Sequence, residues 1–168
     1  LGAVPIAAVG LGQLLAFIAT TLVSGLSVGS NVVMAQLWGA RRYDDAGHAA
    51  RHFLGLSILI ALGLLSFGLL VNRLAMEMLG AQADVIRLAL PYSNLIFLLI
   101  PFTILLQVLS SILQGTGDTK TPMYAMIVVN LLHIAIAIPL IYGHWGLPAL
   151  GINGAAIAVG IAEATGCL

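Results

Sequence analysis

Between residues 88 and 113 the chain carries no charged side chain, and between 123 and 142 it carries none again. Runs of this length meet the ~18 to 20 residues that a helix needs to cross a hydrocarbon core. In lipid every backbone N–H and C=O must be bonded internally, so such runs are helices or closed barrel strands. These are continuous rather than alternating, which selects helices. The stretch LQGTGDTKTP, from Leu113 to Pro122, is a polar turn between two apolar rods and reads as a loop at a membrane face. Gly115 and Gly117 suit the positive φ that ends a helix. Asp118 and Thr119 favour turns. Thr121 is the expected N-cap and Pro122 the expected first helical residue.

Composition agrees. Hydrophobic residues make up 61% of the chain and charged residues 7%, against about 25% charged in soluble domains. The expected fold class is all-α, a polytopic membrane helix bundle. It is read as one incomplete transmembrane domain over residues 1–168, with about five spans near 11–37, 53–71, 88–113, 123–142 and 152–168, the last truncated. The missing initiator Met and the apolar C-terminal end suggest a piece of a longer protein. A net charge of zero argues against nucleic acid as a partner, and the single Cys167 rules out an internal disulfide or a cysteine metal cluster. No nucleophile stands beside a base at useful spacing and there is no phosphate loop, so an enzyme is not expected and neither is a cofactor.

The polar residues inside the spans are ordered. Gln13, Phe17, Thr20, Ser24, Ser27 and Asn31 recur at steps of 4, 3, 4, 3 and 4, which is one helical face. Such a stripe avoids acyl chains, because unpaired polar groups there cost free energy. It faces other helices or a wet cavity. Gly25 and Gly29 form a small-x-x-x-small pair expected to admit a neighbouring backbone. The third span carries Pro91 and Pro101, which remove backbone bonds and bend a helix. Beyond Pro101, Thr103, Gln107, Ser110 and Gln114 make a second one-sided stripe. Asn130 and His133 share a side of the fourth span, and Glu163 is the one acid within the apolar part of the fifth. Ionisable groups at such depth tend to mark transport pathways. The candidate substrate or cavity-lining residues are therefore Thr20, Ser24, Ser27, Asn31, Thr103, Gln107, Asn130 and His133. Glu163 and His133 are the candidate proton-linked groups. Plain interhelical hydrogen bonding is the competing account of the same residues.

The connections are read as polar loops over 38–53, 72–87 and 142–151, with Arg73–Glu77 and Asp84–Arg87 as weak surface pairs. His48 and His52 stand four apart without a third ligand nearby, so no metal site is expected. Trp38, Tyr43, Tyr142 and Trp145 fit an aromatic belt at span ends. Arg41, Arg42, Arg51 and Lys120 fall on one side against Arg73 and Arg87 on the other, which places the LQGTGDTKTP turn in the cytoplasm.

Three separated stretches resemble one family. AQLWGARRYDDA after the first span, LQGTGDTKTPM after the third and YGHWGLPALGINGAAIA after the fourth are similar, in order and spacing, to the first lobe of multidrug and toxic compound extrusion (MATE) transporters. The resemblance implies a fragment running from the second helix to the sixth of a two-lobe protein. It implies a multi-pass protein of the cell membrane, of the bacterial inner-membrane type, exporting amphipathic or cationic compounds in exchange for Na+ or H+ by alternating access. Its partners would be the bilayer, small-molecule substrates and the second lobe of the same chain. An acidic residue that the family carries on its first helix would precede Leu1. Relatives often follow the Asn matching Asn130 with an Asp or a second Asn, whereas Ile134 and Ala137 are apolar here. The alternatives are a lipid-linked oligosaccharide flippase of the same superfamily, which needs a cationic cavity, or a non-transport membrane subunit.

Overall fold

The computed structural model of the chain describes residues 3–143 and 150–167. Among them the elements are α1 (Ala3–Gly39), α2 (Tyr43–Met78), α3 (Ala83–Gly115), α4 (Lys120–Tyr142) and α5 (Ile152–Gly166). The first four are long and apolar enough to cross a membrane. The chain is thus an all-α membrane bundle. Trp145 and most of the connection before α5 lie outside the described residues.

The first four helices overrun the expected spans. Pro5 falls in the first turn of α1, where its missing N–H has no intrahelical partner to lose. The charged stretch after α1 is a turn over 40–42 followed at once by helix, with Asp44 and Asp45 in the first turn of α2, where acids complement the helix dipole. Arg41 takes a left-handed conformation, φ 60°, to reverse the chain. The loop expected from residue 72 is helical to Met78, and the connection shrinks to 79–82. The Arg73–Glu77 pair forms at 2.9 Å on the surface. An Asp84–Arg87 pair is not among the ion pairs of the described residues, although both groups are exposed.

The turn from α3 to α4 corrects the expected cap. Helix α4 begins at Lys120, and it is Asp118 that caps it. Asp118 Oδ1 accepts from the N–H of Lys120 at 3.1 Å and of Thr121 at 3.0 Å. A carboxylate is the stronger acceptor, so it takes the orphan donors and leaves Pro122 inside the first turn. The Asp118 carboxyl is held below its usual range, first by the Thr121 hydroxyl, then by these backbone donors and the Lys120 charge. Gly117 has φ 89°, as its position demands. Gly115 is helical instead. A Cβ there would lie 2.6 Å from the Asn31 carbonyl oxygen and 2.7 Å from Met34 Cβ, so Gly115 is what lets α3 approach α1.

That approach organises the bundle. Helices α1, α3 and α5 run parallel, with α2 and α4 antiparallel to them. Val23, Met34, Ala61, Phe97, Ile104 and Val108 fill the seam among α1, α2 and α3. Gly25 and Gly29, expected to serve a close helix contact, have nothing within 4 Å of a Cβ position. Helix α1 turns Val23 and Ser27 inward instead, and that pair of glycines faces outward. Asn72, read as a loop residue, is 2% exposed and bridges helices. Its Nδ2 donates to Ser93 Oγ and Asn94 Oδ1, each at 2.7 Å. Helix α5 packs on α4 and α3, while α4 barely touches α3. Leu59, Phe67 and Leu70 on α2 and Leu131, Ile134 and Ile138 on α4 are exposed, which suits contact with acyl chains.

Candidate functional site

Three cavities lie along the polar face of α3, two of them shared with α1 and one with α4 and α5. Taking the turn over 116–119 as the near end, the distal chamber has a volume of about 260 Å³. Gln13, Phe17 and Thr20 line it from α1, Tyr92, Ile100 and Thr103 from α3, and Ala156, Val159 and Glu163 from α5. Gln13 Nε2 donates to the Tyr92 hydroxyl oxygen at 3.1 Å, tying the two helices. The Thr20 hydroxyl donates back to its own helix, at 3.0 Å from the Ala16 carbonyl and 3.2 Å from that of Phe17. The proximal chamber, about 480 Å³, is walled by Thr103, Gln107, Ser110 and Gln114 of α3, Met123 and Met126 of α4, and Glu163. A cleft of about 370 Å³ between α1 and α3 is lined by Ser24, Ser27, Asn31, Gln107, Ser111 and Gln114.

The two polar stripes therefore meet. Their helical spacing puts each on one face, and the α1–α3 pairing turns those faces toward common space. Asn31 fixes the register at the near end, its Nδ2 donating to the Ser111 carbonyl at 3.1 Å. Thr103 and Glu163 are the residues common to the walls of the distal and proximal chambers. Thr103 Oγ1 donates to Glu163 Oε2 at 2.5 Å, linking α3 to α5 at the point where the chambers adjoin. Among the described residues no Lys or Arg lines either chamber, so nothing on these walls offsets a negative charge at Glu163. No three His, Cys, Asp or Glu side chains gather as a metal site among the described residues.

Asn130 and His133 stand apart from these walls. Asn130 is exposed and its Nδ2 donates to the Met126 carbonyl of its own helix at 2.7 Å. His133 is half-buried and lines none of the three cavities. The reason is the packing of α4, which leans on α5, meets α3 at few points and turns Pro122, Met123 and Met126 to the proximal chamber. Tyr92 and Ser111 join the walls although the sequence reading passed over them. The signal for Tyr92 was there, since Tyr92, Ile96, Leu99 and Thr103 step by 4, 3 and 4 along the same face.

Comparison with known proteins agrees with this arrangement. The MatE family model matches residues 1–138. The probable multidrug resistance protein YoeA of Bacillus subtilis (strain 168) is 31% identical over 158 residues, covering 94% of this chain and 34% of that protein. The inward-facing structure of a multidrug resistance MATE family transporter of the MOP superfamily is 28% identical, with a TM-score of 0.88 over 99% of this chain and 37% of that one. An outward-facing structure of such a transporter matches with the same TM-score of 0.88 and 28% identity, over 99% of this chain and 36% of that one. The chain spans about a third of the length of these relatives. With the MatE family model matched over residues 1–138, the chain belongs to the MatE family.

Proposed function

We propose that this chain is part of a secondary antiporter that exports small amphipathic, often cationic compounds in exchange for H+ or Na+. The observation that carries the reading is the Glu163 carboxyl, held by Thr103 where two polar-walled chambers adjoin. A carboxyl at such depth needs a positive partner. A proton, a sodium ion or a substrate ammonium are the partners available, and their competition for one carboxyl is an elementary form of exchange. Thr20, Thr103 and Gln107 line the path, with Phe17 and Tyr92 offering aromatic surface to a flat cation. The equal match to inward- and outward-facing structures supports a unit that keeps its shape while the rest of the protein moves against it. The second lobe would complete the cavity in the cell membrane. Walls without Lys or Arg disfavour a flippase, whose cargo is a phosphate ester.

The test uses the full-length protein that contains this chain, in proteoliposomes with an imposed pH or Na+ gradient and ethidium as the reporter. Glu163→Gln is expected to lower gradient-driven transport about tenfold or more, and Thr103→Val to lower it less. Undiminished transport in Glu163→Gln removes Glu163 from the coupling. No gradient-dependent movement by the unsubstituted protein overturns the antiporter. Unchanged transport in Gln107→Leu as well as Glu163→Gln would point to a subunit without a transport role at this seam.

A further inference from the structure

Glu163 accounts for the two chambers, but not for the cleft between the near halves of α1 and α3. Its wall holds no charged side chain among the described residues, yet nearly every residue on it carries a side chain able to hydrogen-bond: Ser24, Ser27, Asn31, Gln107, Ser111 and Gln114. Several of these groups are unspent. The Ser27 hydroxyl is 4% exposed and has no partner. Its neighbours do otherwise. Ser24 returns its hydroxyl to the Thr21 carbonyl at 2.6 Å, and Ser30 to the Ser27 carbonyl at 2.8 Å. Among the described residues no hydrogen bond reaches the side-chain amides of Gln107 or Gln114. The buried Ser27 hydroxyl is unfavourable until something satisfies it, and the side chains of half-buried Gln107 and exposed Gln114 stand on the same wall.

We infer that this cleft is a second binding subsite, taking an uncharged hydrogen-bonding group of the substrate such as a hydroxylated sugar ring or an amide. The argument is one of charge and valence. An ion in the cleft would leave water for neutral dipoles with no counter-ion on the wall, which is costly. A neutral hydroxyl or amide exchanges hydrogen bonds with water for hydrogen bonds with Ser27, Gln107 and Gln114 at little cost. The cleft shares Gln107, Ser111 and Gln114 with the proximal chamber, and Glu163 stands in that chamber's wall. One molecule thus reaches both, its cationic part toward Glu163 and its neutral polar part in the cleft. The inference rests on the transport reading and refines it: the preferred cargo is a cation bearing a neutral polar appendage.

Two aromatic cations separate the possibilities. Daunorubicin bears its charge on an amino sugar and carries neutral hydroxyl and carbonyl groups on its uncharged fused rings, whereas tetraphenylphosphonium has no hydrogen-bonding group. Binding of each to the purified full-length protein, and its transport in proteoliposomes, is compared between the unsubstituted protein and Ser27→Ala and Gln114→Leu. The preference for daunorubicin over tetraphenylphosphonium is expected to fall about tenfold in Gln114→Leu and less in Ser27→Ala, the loss of buried hydrogen bonds expressed as a ratio. Ser27→Ala removes one oxygen from a packed position, so it reads the subsite without disturbing the fold. An unchanged ratio in both variants overturns the subsite and leaves the exporter standing. So does a parallel loss of both compounds, which would mean that the cleft packs another segment of the protein. If the unsubstituted protein carries neither compound, the transport reading falls and this inference with it.

Discussion

Asp118 and Glu163 are both acids, and their surroundings give them opposite tasks. Asp118 lies in the polar turn, where two backbone N–H groups point at one carboxylate oxygen. Its carboxyl is held low, so the stabilisation it gives is present above the ordinary carboxylate range near ~4 and is lost as pH falls through the depressed value. Asp118→Asn keeps an acceptor for the cap but removes the titration. The melting temperature of the detergent-solubilised full-length protein, followed from about pH 7 to about pH 3, should favour the unsubstituted protein at the upper end, with the gap closing on acidification. A gap that does not change with pH would show that the Asp118 charge contributes nothing to the turn. Glu163 accepts from a single hydroxyl, that of Thr103, inside the bundle. The sequence marked it as the one acid within an apolar span, yet only the α3–α5 packing paired it with Thr103.

At the scale of the helix, periodicity was a dependable guide and small-residue patterns were not. The stripe from Gln13 to Asn31 lies on cavity walls along its whole length. Gly25 and Gly29 have the spacing of a packing motif and meet no neighbour, while Gly115, which resembles an ordinary helix end, leaves no room for a side chain between α3 and α1. Spacing says which residues share a face, but the partner decides which face is covered. Gly115→Val forces a side chain into the Asn31 carbonyl and Met34, a misfit of about 1–3 kcal/mol. It should lower the melting temperature, whereas Gly25→Val should leave it nearly unchanged. Equal effects of the two would mean that α1 meets a neighbour elsewhere. Asn72 shows the same limit of pattern reading. It belonged to a polar stretch by sequence, and became an interhelical clamp because α2 continues past it.

Across the whole molecule, the turns over 40–42 and 116–119 lie at one end of the bundle, because α1 and α3 run parallel in register from the Gln13–Tyr92 bond to the Asn31–Ser111 bond. Arg41, Arg42 and Lys120 gather at that end, so it is expected to face the cytoplasm. Ala40→Cys and Thr119→Cys, made with Cys167 replaced by Ser, should be shielded from an impermeant maleimide in intact cells, while Gln82→Cys reacts. Labelling of Ala40→Cys and Thr119→Cys from outside would invert the orientation. The amino-acid sequence alone determined the class of solvent, the order of the long helices, the place of each reversal and the two polar stripes, since these depend on hydropathy and local backbone chemistry. Which stripes face each other, that Thr103 reaches Glu163, and that Asn130 and His133 stand aside were decided only by tertiary packing. Helices in lipid gain little from hiding apolar surface, so their mutual rotation is set by close steric fit and a few hydrogen bonds between residues distant in the chain.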